Sequence, residues 1–416
     1  MTGMRVTDDL ASVRPFTEEL YRHLHAHPEL SDREHETAAR MAAELRATGV
    51  DEVHEGVGRS TGVVGILRNG TGPTILVRAD MDGLPVVEDA VVEYRSTQTA
   101  EVDGATVGVM HACGHDVHMA TLQGSVRLLA QHRDAWSGTL AIVFQPAEET
   151  VAGARGMTDA LREIVPDIDV ALGQHVSGYP ASQVRLAAGP IMAACDELIV
   201  TVHGRGGHGS RPETTVDPVV VAASIVLRLQ TIVSREVPSS AQAVVTVGTI
   251  HAGTKSNIIP DSARLGLSIR TYDEALRARI RAAVERIVQA ECQAAGTPEP
   301  ATIEHTLWAP VTDNDPGVVA TLQEAFDAEF GDDVVPMERL SGSEDFSELA
   351  AAYGKPYAFW FTGGMPDERY AAAEAAGTLL TDIPSNHSPG FVPVLQPTLD
   401  TAVRAMTTAV LAHLGR

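Results

Sequence analysis

The stretch Thr74-Ile75-Leu76-Val77-Arg78-Ala79-Asp80-Met81-Asp82-Gly83 runs from a short apolar strand straight into an acidic turn. Another apolar run, 62–67, precedes it, and a third, 139–144, follows a helix that begins past His115. Short apolar runs alternating with helical spacing predict a mostly parallel sheet flanked by helices, an α/β fold. Upstream, Leu20, Leu24, Leu30, Ala38, Met41 and Leu45 fall near helical spacing and predict helix across residues 8–49.

From about Cys195 the rhythm changes. A strand at 197–203 leads to an amphipathic helix at 217–235, opened by the start signal Asp217-Pro218. Strands at 243–251 and 264–271, a helix at Glu274–Ala295 and a strand at 302–308 follow. The order βαββαβ is that of a ferredoxin-like unit. The earlier rhythm then resumes and ends in the helix Thr398–Leu414. With 416 residues the chain is too long for one ordinary core. The expected organisation is an α/β domain over 1–192 and 311–416, interrupted by a smaller inserted domain at 193–310.

The 31 Lys and Arg against 55 Asp and Glu give a net charge of −24. That balance repels phosphate backbones and anionic lipid, so neither nucleic acid nor a membrane is an expected partner. The N-terminal residues MTGMRVTDDLASVRPF contain no secretory signal pattern, and no apolar stretch is expected to span a bilayer. Three widely spaced cysteines, Cys113, Cys195 and Cys292, do not suggest a disulfide framework. A cytoplasmic location is expected.

The densest chemical signal is Met110-His111-Ala112-Cys113-Gly114-His115-Asp116-Val117-His118. A thiolate and an imidazole two residues apart on a glycine turn can face one metal ion together. His111 and His118 suit supporting roles better. In Phe144-Gln145-Pro146-Ala147-Glu148-Glu149 two adjacent carboxylates close a strand. An isolated pair of this kind is usually a solvated face. Beside a cation, one can ligate while the other takes a proton from water, the division of labour that metal-assisted hydrolysis requires. His175 in Gly173-Gln174-His175-Val176 and His387 in Asn386-His387-Ser388-Pro389 raise the count to a thiolate, three imidazoles and a carboxylate. That exceeds one tetrahedral ion's needs and implies two divalent transition-metal ions, with Zn, Mn, Co and Ni all suited to the donors.

The strings RADMDGLPV (78–86), MHACGHDVHMA (110–120), FQPAEE (144–149), GQHV (173–176), GRGGHGSRPETTVDP (204–218), SNIIPD (256–261), SEDF (343–346) and NHSPGF (386–391) occur in order along nearly the whole chain. Together they resemble the amidohydrolase branch of the aminoacylase and carboxypeptidase metallopeptidases, which includes hippurate hydrolases and indole-acetyl-amino-acid hydrolases. The resemblance implies Cys113 as a bridging ligand, with His115, Glu149, His175 and His387 completing the set. It makes Glu148 the general base and later the acid that protonates the leaving amine. Asp80 and Asp82 occupy a turn that carries a metal-binding histidine in the peptidase branch, and here they are expected to orient the ligands. His208 is implied to reach the partner subunit's oxyanion in a homodimer formed through the inserted domain. Asn257 resembles a substrate-binding amide, and Arg270 can pair with a substrate carboxylate or with a structural partner.

The expected activity is cleavage of the amide bond of N-acyl amino acids. One rival keeps the fold but cleaves dipeptides, and the missing histidine at Asp80 counts against it. Another is a metal-binding protein without catalysis, which would have no use for Glu148.

Overall fold

The computed structural model describes residues 5–59 and 61–415. The apolar run at 74–77 continues as a strand to Asp80, so Arg78, Ala79 and Asp80 belong to the sheet rather than to a turn. Pairing explains the extension: every residue from Thr74 to Asp80 has a parallel partner between Thr139 and Gln145. Gly138–Gln145, Thr74–Asp80, Val170–Pro180 and Tyr357–Met365 lie side by side and run in one direction. Gly62–Asn69 flanks them antiparallel and pairs in turn with an antiparallel Glu52–Val57, and Val184–Leu186 and Val334–Pro336 complete an eight-stranded sheet at the other margin. The α/β expectation holds.

Burial along the central strands is nearly continuous rather than alternating, the mark of a sheet covered on both faces. Val77, Ile142, Leu172 and Trp360 of the sheet share one core with Leu20, Met41, Leu122 and Met406 of the helices. Each such side chain contributes about 1.5–3 kcal/mol by leaving water. The helical reading of residues 8–49 divides into a 3-10 segment, Val6–Ser12, and helices Arg14–Ala26 and His35–Thr48. Pro28 lies in the break, and Asp32 there has a φ of 63°, a value no helix accommodates.

By its internal contacts the chain forms two compact units. One takes in the chain up to Gly189, then Asp313–Glu338 and the stretch from Asp345 onward; the other is Pro190–Thr312 with Arg339–Glu344. In the second unit an antiparallel sheet has the order Ala243–Ala252, Ser262–Thr271, Ala194–His203, Thr302–Ala309. Helices Pro218–Thr231 and Glu274–Ala295 pack on it, giving the ferredoxin-like connectivity. By length and composition one helix here, Pro218–Glu236 with its π-helical last turn, is apolar enough to cross a membrane. Val221, Ala222, Ile225 and Leu229 pack into the core of this unit, while Val219, Val220, Leu227 and Val233 stay exposed. Its apolarity comes from two faces, only one of them buried.

Candidate metal centre

Parallel strands place all their carboxyl ends along one edge, where open α/β sheets bind ligands. Asp80 and Gln145 end two of these strands, and His175 follows Gly173, the last residue of its strand paired to the Thr74–Asp80 strand. Cys113 and His115 flank Gly114, which has a φ of 85° and opens the helix His115–Gln131. A Cβ at Gly114 would lie 2.4 Å from Val176 Cγ1, so glycine is required both for the turn and for the close approach. His387 also has a left-handed backbone, with φ 70°, and its amide donates to the Ala112 carbonyl at 2.7 Å. Asn386 Nδ2 donates to the carbonyls of Cys113 and Val176, each at 3.1 Å, tying three ligand-bearing segments together.

The side chains converge. Cys113 Sγ lies 3.5 Å from His175 Nε2 and 3.2 Å from His387 Nε2. His387 Nε2 lies 3.4 Å from Glu149 Oε2, and His115 Nε2 is 3.8 Å from both Glu149 Oε1 and Glu148 Oε2. Donors held 2.0–2.3 Å from one ion at tetrahedral angles stand about 3.3–3.6 Å apart, so these spacings match ligands awaiting ions. Glu149 belongs to two donor groups, one with Cys113 and His387, the other with His115 and Glu148. The five expected ligands and Glu148 are thus gathered at one place.

The surrounding groups fix which atoms are available. His175 Nδ1 is 2.7 Å from the Val176 carbonyl, which can only accept, so the lone pair resides on Nε2 facing Cys113. His118 lies close by but is fully occupied. Its Nδ1 bonds Asp80 Oδ1 at 2.5 Å, and the Val176 amide donates to its Nε2 at 2.8 Å. Asp80 accepts from Arg78 as well, at 2.8 Å. Asp82 accepts the amides of Glu148 and Glu149 at 3.1 and 3.0 Å, and lies 3.3 Å from His115 Nδ1. Both aspartates therefore act on the donors around them. His111 is buried without a hydrogen bond among the described residues, and burial pushes it down to about 4, so it stays neutral.

Electrostatics call for cations here. Burial and the charges of Glu149 and Glu148 push the Cys113 thiol well above its ordinary value. Burial likewise lifts Glu149 to about 7. Burial opposes a charged His115, but Asp80 and Asp82 overcome it and raise that imidazole to about 10. Both His115 ring nitrogens and Glu149 Oε1 are buried without hydrogen bonds among the described residues. Orphaned donors of this kind are costly unless an ion uses them. The residues fit a binuclear metal site.

Residues 76–383 match the model of the peptidase family M20/M25/M40. The chain belongs to that family. It is 37% identical over 369 residues to thermostable carboxypeptidase 2 of Saccharolobus solfataricus, spanning 88% of this chain and 90% of the relative. It is 35% identical over 328 residues to N-acetylcysteine deacetylase of Bacillus subtilis, spanning 78% and 83%. Among solved structures, a dinuclear metal-binding peptidase of the M20 family from Bacillus subtilis superposes with a TM-score of 0.76 at 27% identity, over 97% of this chain and 99% of that one. This M20 chain is accordingly a metal-dependent hydrolase of the amidohydrolase branch.

In the second unit of this M20 chain, His208 and Asn257 come together on an exposed two-stranded ribbon. Gly207–His208 pairs with Ile258–Ile259, and the Gly209 amide donates to the Asn257 carbonyl at 2.8 Å. The Ser210 amide donates to His208 Nδ1 at 3.1 Å, so the ring proton sits on Nε2. Arg270 donates through NH1 to Ser343 Oγ at 2.7 Å and the Ser341 carbonyl at 3.2 Å.

Several supporting contacts escape a reading of the sequence, even where the residue lies in a quoted string. Asp345 accepts from Gln145 Nε2 at 2.7 Å and from the Ala154 amide at 2.9 Å, in the first turn of the helix Gly153–Ile164. It serves a helix distant in sequence rather than capping its own. His25 joins Asp116 at 2.6 Å and Glu88 at 3.2 Å. Burial works against its charge, yet these two carboxylates raise it to about 9.

Proposed function

We propose that this chain hydrolyses the amide bond of N-acyl amino acids, with Glu148 as general base and Cys113, His115, Glu149, His175 and His387 as the metal ligands. The observation that carries this reading is the pair of adjacent glutamates, one among the thiolate and imidazole donors and the other beside it. The donor mix suits Zn, Mn, Co or Ni. Two bound ions would supply Lewis-acid polarisation of the carbonyl and a lower pKa for the attacking water. Glu148 takes the proton of that water and returns it to the leaving amine. The exposed Nε2–H of His208 is a donor suited to the oxyanion, Asn257 to the substrate's polar groups and Arg270 to its carboxylate.

An aminoacylase and a carboxypeptidase break the same bond, on the amino side of a residue with a free carboxylate. They differ in what the acyl part carries. A dipeptide brings an ammonium one carbon from the scissile carbonyl, and beside two divalent ions it needs a spare carboxylate. Asp80 is engaged with Arg78 and His118, and Asp82 with the amides of Glu148 and Glu149. That supports an uncharged acyl group. A panel of N-acetyl and N-benzoyl amino acids should exceed the matching dipeptides in kcat/KM by about tenfold or more. The reverse order would make the chain a dipeptidase.

A homodimer is part of this reading. Val219, Val220 and Leu227 on the Pro218–Thr231 helix, with Val244 and Ile250 on the edge strand Ala243–Ala252, form exposed apolar positions suited to a twofold contact. If His208 acts across that contact, co-expressed Glu148→Gln and His208→Ala chains should regain about a quarter of wild-type activity, because half of randomly formed dimers carry one complete site. Verified heterodimers without turnover would confine His208 to its own chain or remove it from the reaction. The three buried free thiols, Cys113, Cys195 and Cys292, suit a reducing, cytoplasmic location.

A further inference from the structure

Adjacent side chains on an extended backbone point to opposite faces. Glu148 and Glu149 lie instead in the turn that follows the strand Gly138–Gln145, and they converge, each placing a carboxylate oxygen 3.8 Å from His115 Nε2. The backbone before them makes this possible. Ala147 holds a φ of 52°, a left-handed conformation that alanine rarely keeps unaided. Three consecutive amides are then gripped by two buried carboxylates. The Ala147 amide donates to Glu34 Oε1 at 2.8 Å, and those of Glu148 and Glu149 donate to Asp82 at 3.1 and 3.0 Å.

Glu34 belongs to none of the motifs and to none of the donor groups able to hold a metal ion. It immediately precedes the helix His35–Thr48 but makes no capping bond to it. Its side chain is fully buried and turned elsewhere. Besides the Ala147 amide, it accepts the Asp32 amide at 3.0 Å and the Thr61 hydroxyl at 2.9 Å. A carboxylate buried this deeply is costly unless its acceptors are used, and each of these bonds fixes a different segment.

We infer that Glu34 is a positioning residue for the hydrolysis, holding Ala147 in its left-handed turn so that Glu148 reaches His115 beside Glu149. The inference rests on the proposed roles of those two glutamates. Glu34→Gln keeps an oxygen for the Ala147 amide and disturbs only the Thr61 contact. Glu34→Leu removes the acceptor.

The test measures kcat, KM, bound metal and thermal unfolding for both variants, using the N-acyl amino acid that the wild type turns over fastest. Glu34→Leu should retain its metal and lower kcat by ~100-fold with KM within ~3-fold, the scale of a small misplacement of a reacting group. Glu34→Gln should restore kcat to within ~3-fold of wild type, since the Ala147 amide keeps its partner. A Glu34→Leu enzyme with wild-type kcat, or one losing activity only in step with metal or folded protein, overturns the inference. So does a Glu34→Gln enzyme as impaired as the leucine variant. Should the leucine variant not fold, Glu34→Asp decides: it withdraws the carboxylate by one methylene and should cost ~10-fold in kcat, and wild-type kcat refutes the role. Glu148→Gln serves as the reference. Its survival with full turnover would remove the reading of the site itself, whereas an inactive Glu148→Gln beside an unimpaired Glu34→Leu removes only the positioning role.

Discussion

Glu148→Gln is expected to keep its metal and to lose kcat by about 10³-fold or more, the upper range for a general base. Glu149→Gln should instead lose metal. The two side chains are neighbours in sequence and meet the same imidazole, yet their surroundings differ. Glu149 Oε2 faces His387 at 3.4 Å, and Glu149 joins Cys113 in a donor group. Its other oxygen is buried without a hydrogen bond among the described residues, a state that an ion would relieve. Glu148 lies 3.8 Å from His115 and shares a donor group with His115 and Glu149, but none with Cys113 or His387 among the described residues. A glutamine at 148 preserves shape and polarity but cannot accept a proton, so turnover should fall while affinity for metal and substrate persists. A glutamine at 149 removes a charge that the cations require. Metal content measured beside rate separates the roles, and equal metal loss in both variants would show that the division is wrong.

Much of this centre was legible in the sequence because a parallel sheet delivers its strand ends to one edge. Cys113, His115, Glu148, Glu149 and His175 each follow or close an apolar run, so their convergence follows from the order of strands and helices. His387 entered only through the count of donors and the resemblance, since nothing local marks a loop near the C-terminus as facing residue 113. Of the supporting groups, Asp80 and Asp82 were legible from their motif, whereas the long-range contacts were not. Glu34 meets Ala147 across 113 positions and Asp345 meets Gln145 across 200, and no spacing rule reaches that far. Local punctuation was underweighted too: Pro28 interrupts what periodicity alone extends into one helix. The strand through Asp80 was cut short because charge reads as turn, whereas Arg78 is paired inside the sheet with Gln145 Oε1 at 2.8 Å. Likewise, the second apolar face of the Pro218–Glu236 helix has meaning only once its first face is seen to be buried.

Exhaustive chelation is expected to abolish hydrolysis, and Mn, Co, Ni or Zn to restore it, while Mg does so poorly. The donors decide this outcome. Mg prefers octahedral oxygen ligands and gives up its waters reluctantly. The proposed ligands are a sulfur and three imidazole nitrogens with one carboxylate, a set that favours the softer divalent transition metals. Without cations the cluster is also electrostatically frustrated. Burial and the neighbouring carboxylates drive the Cys113 thiol well upward, and burial lifts Glu149 to about 7. Binding must therefore displace protons from Cys113 and His115, and in acid from Glu149, so the metal affinity should weaken as the pH falls. Titrating apo-protein with Mn at pH 6 and at pH 8 should give clearly tighter binding at the higher pH. Activity and bound metal should return together in stoichiometric steps. Full turnover by protein shown to be metal-free would refute the proposed chemistry, and efficient rescue by Mg alone would show that the sulfur and nitrogen donors are not the ligands that matter.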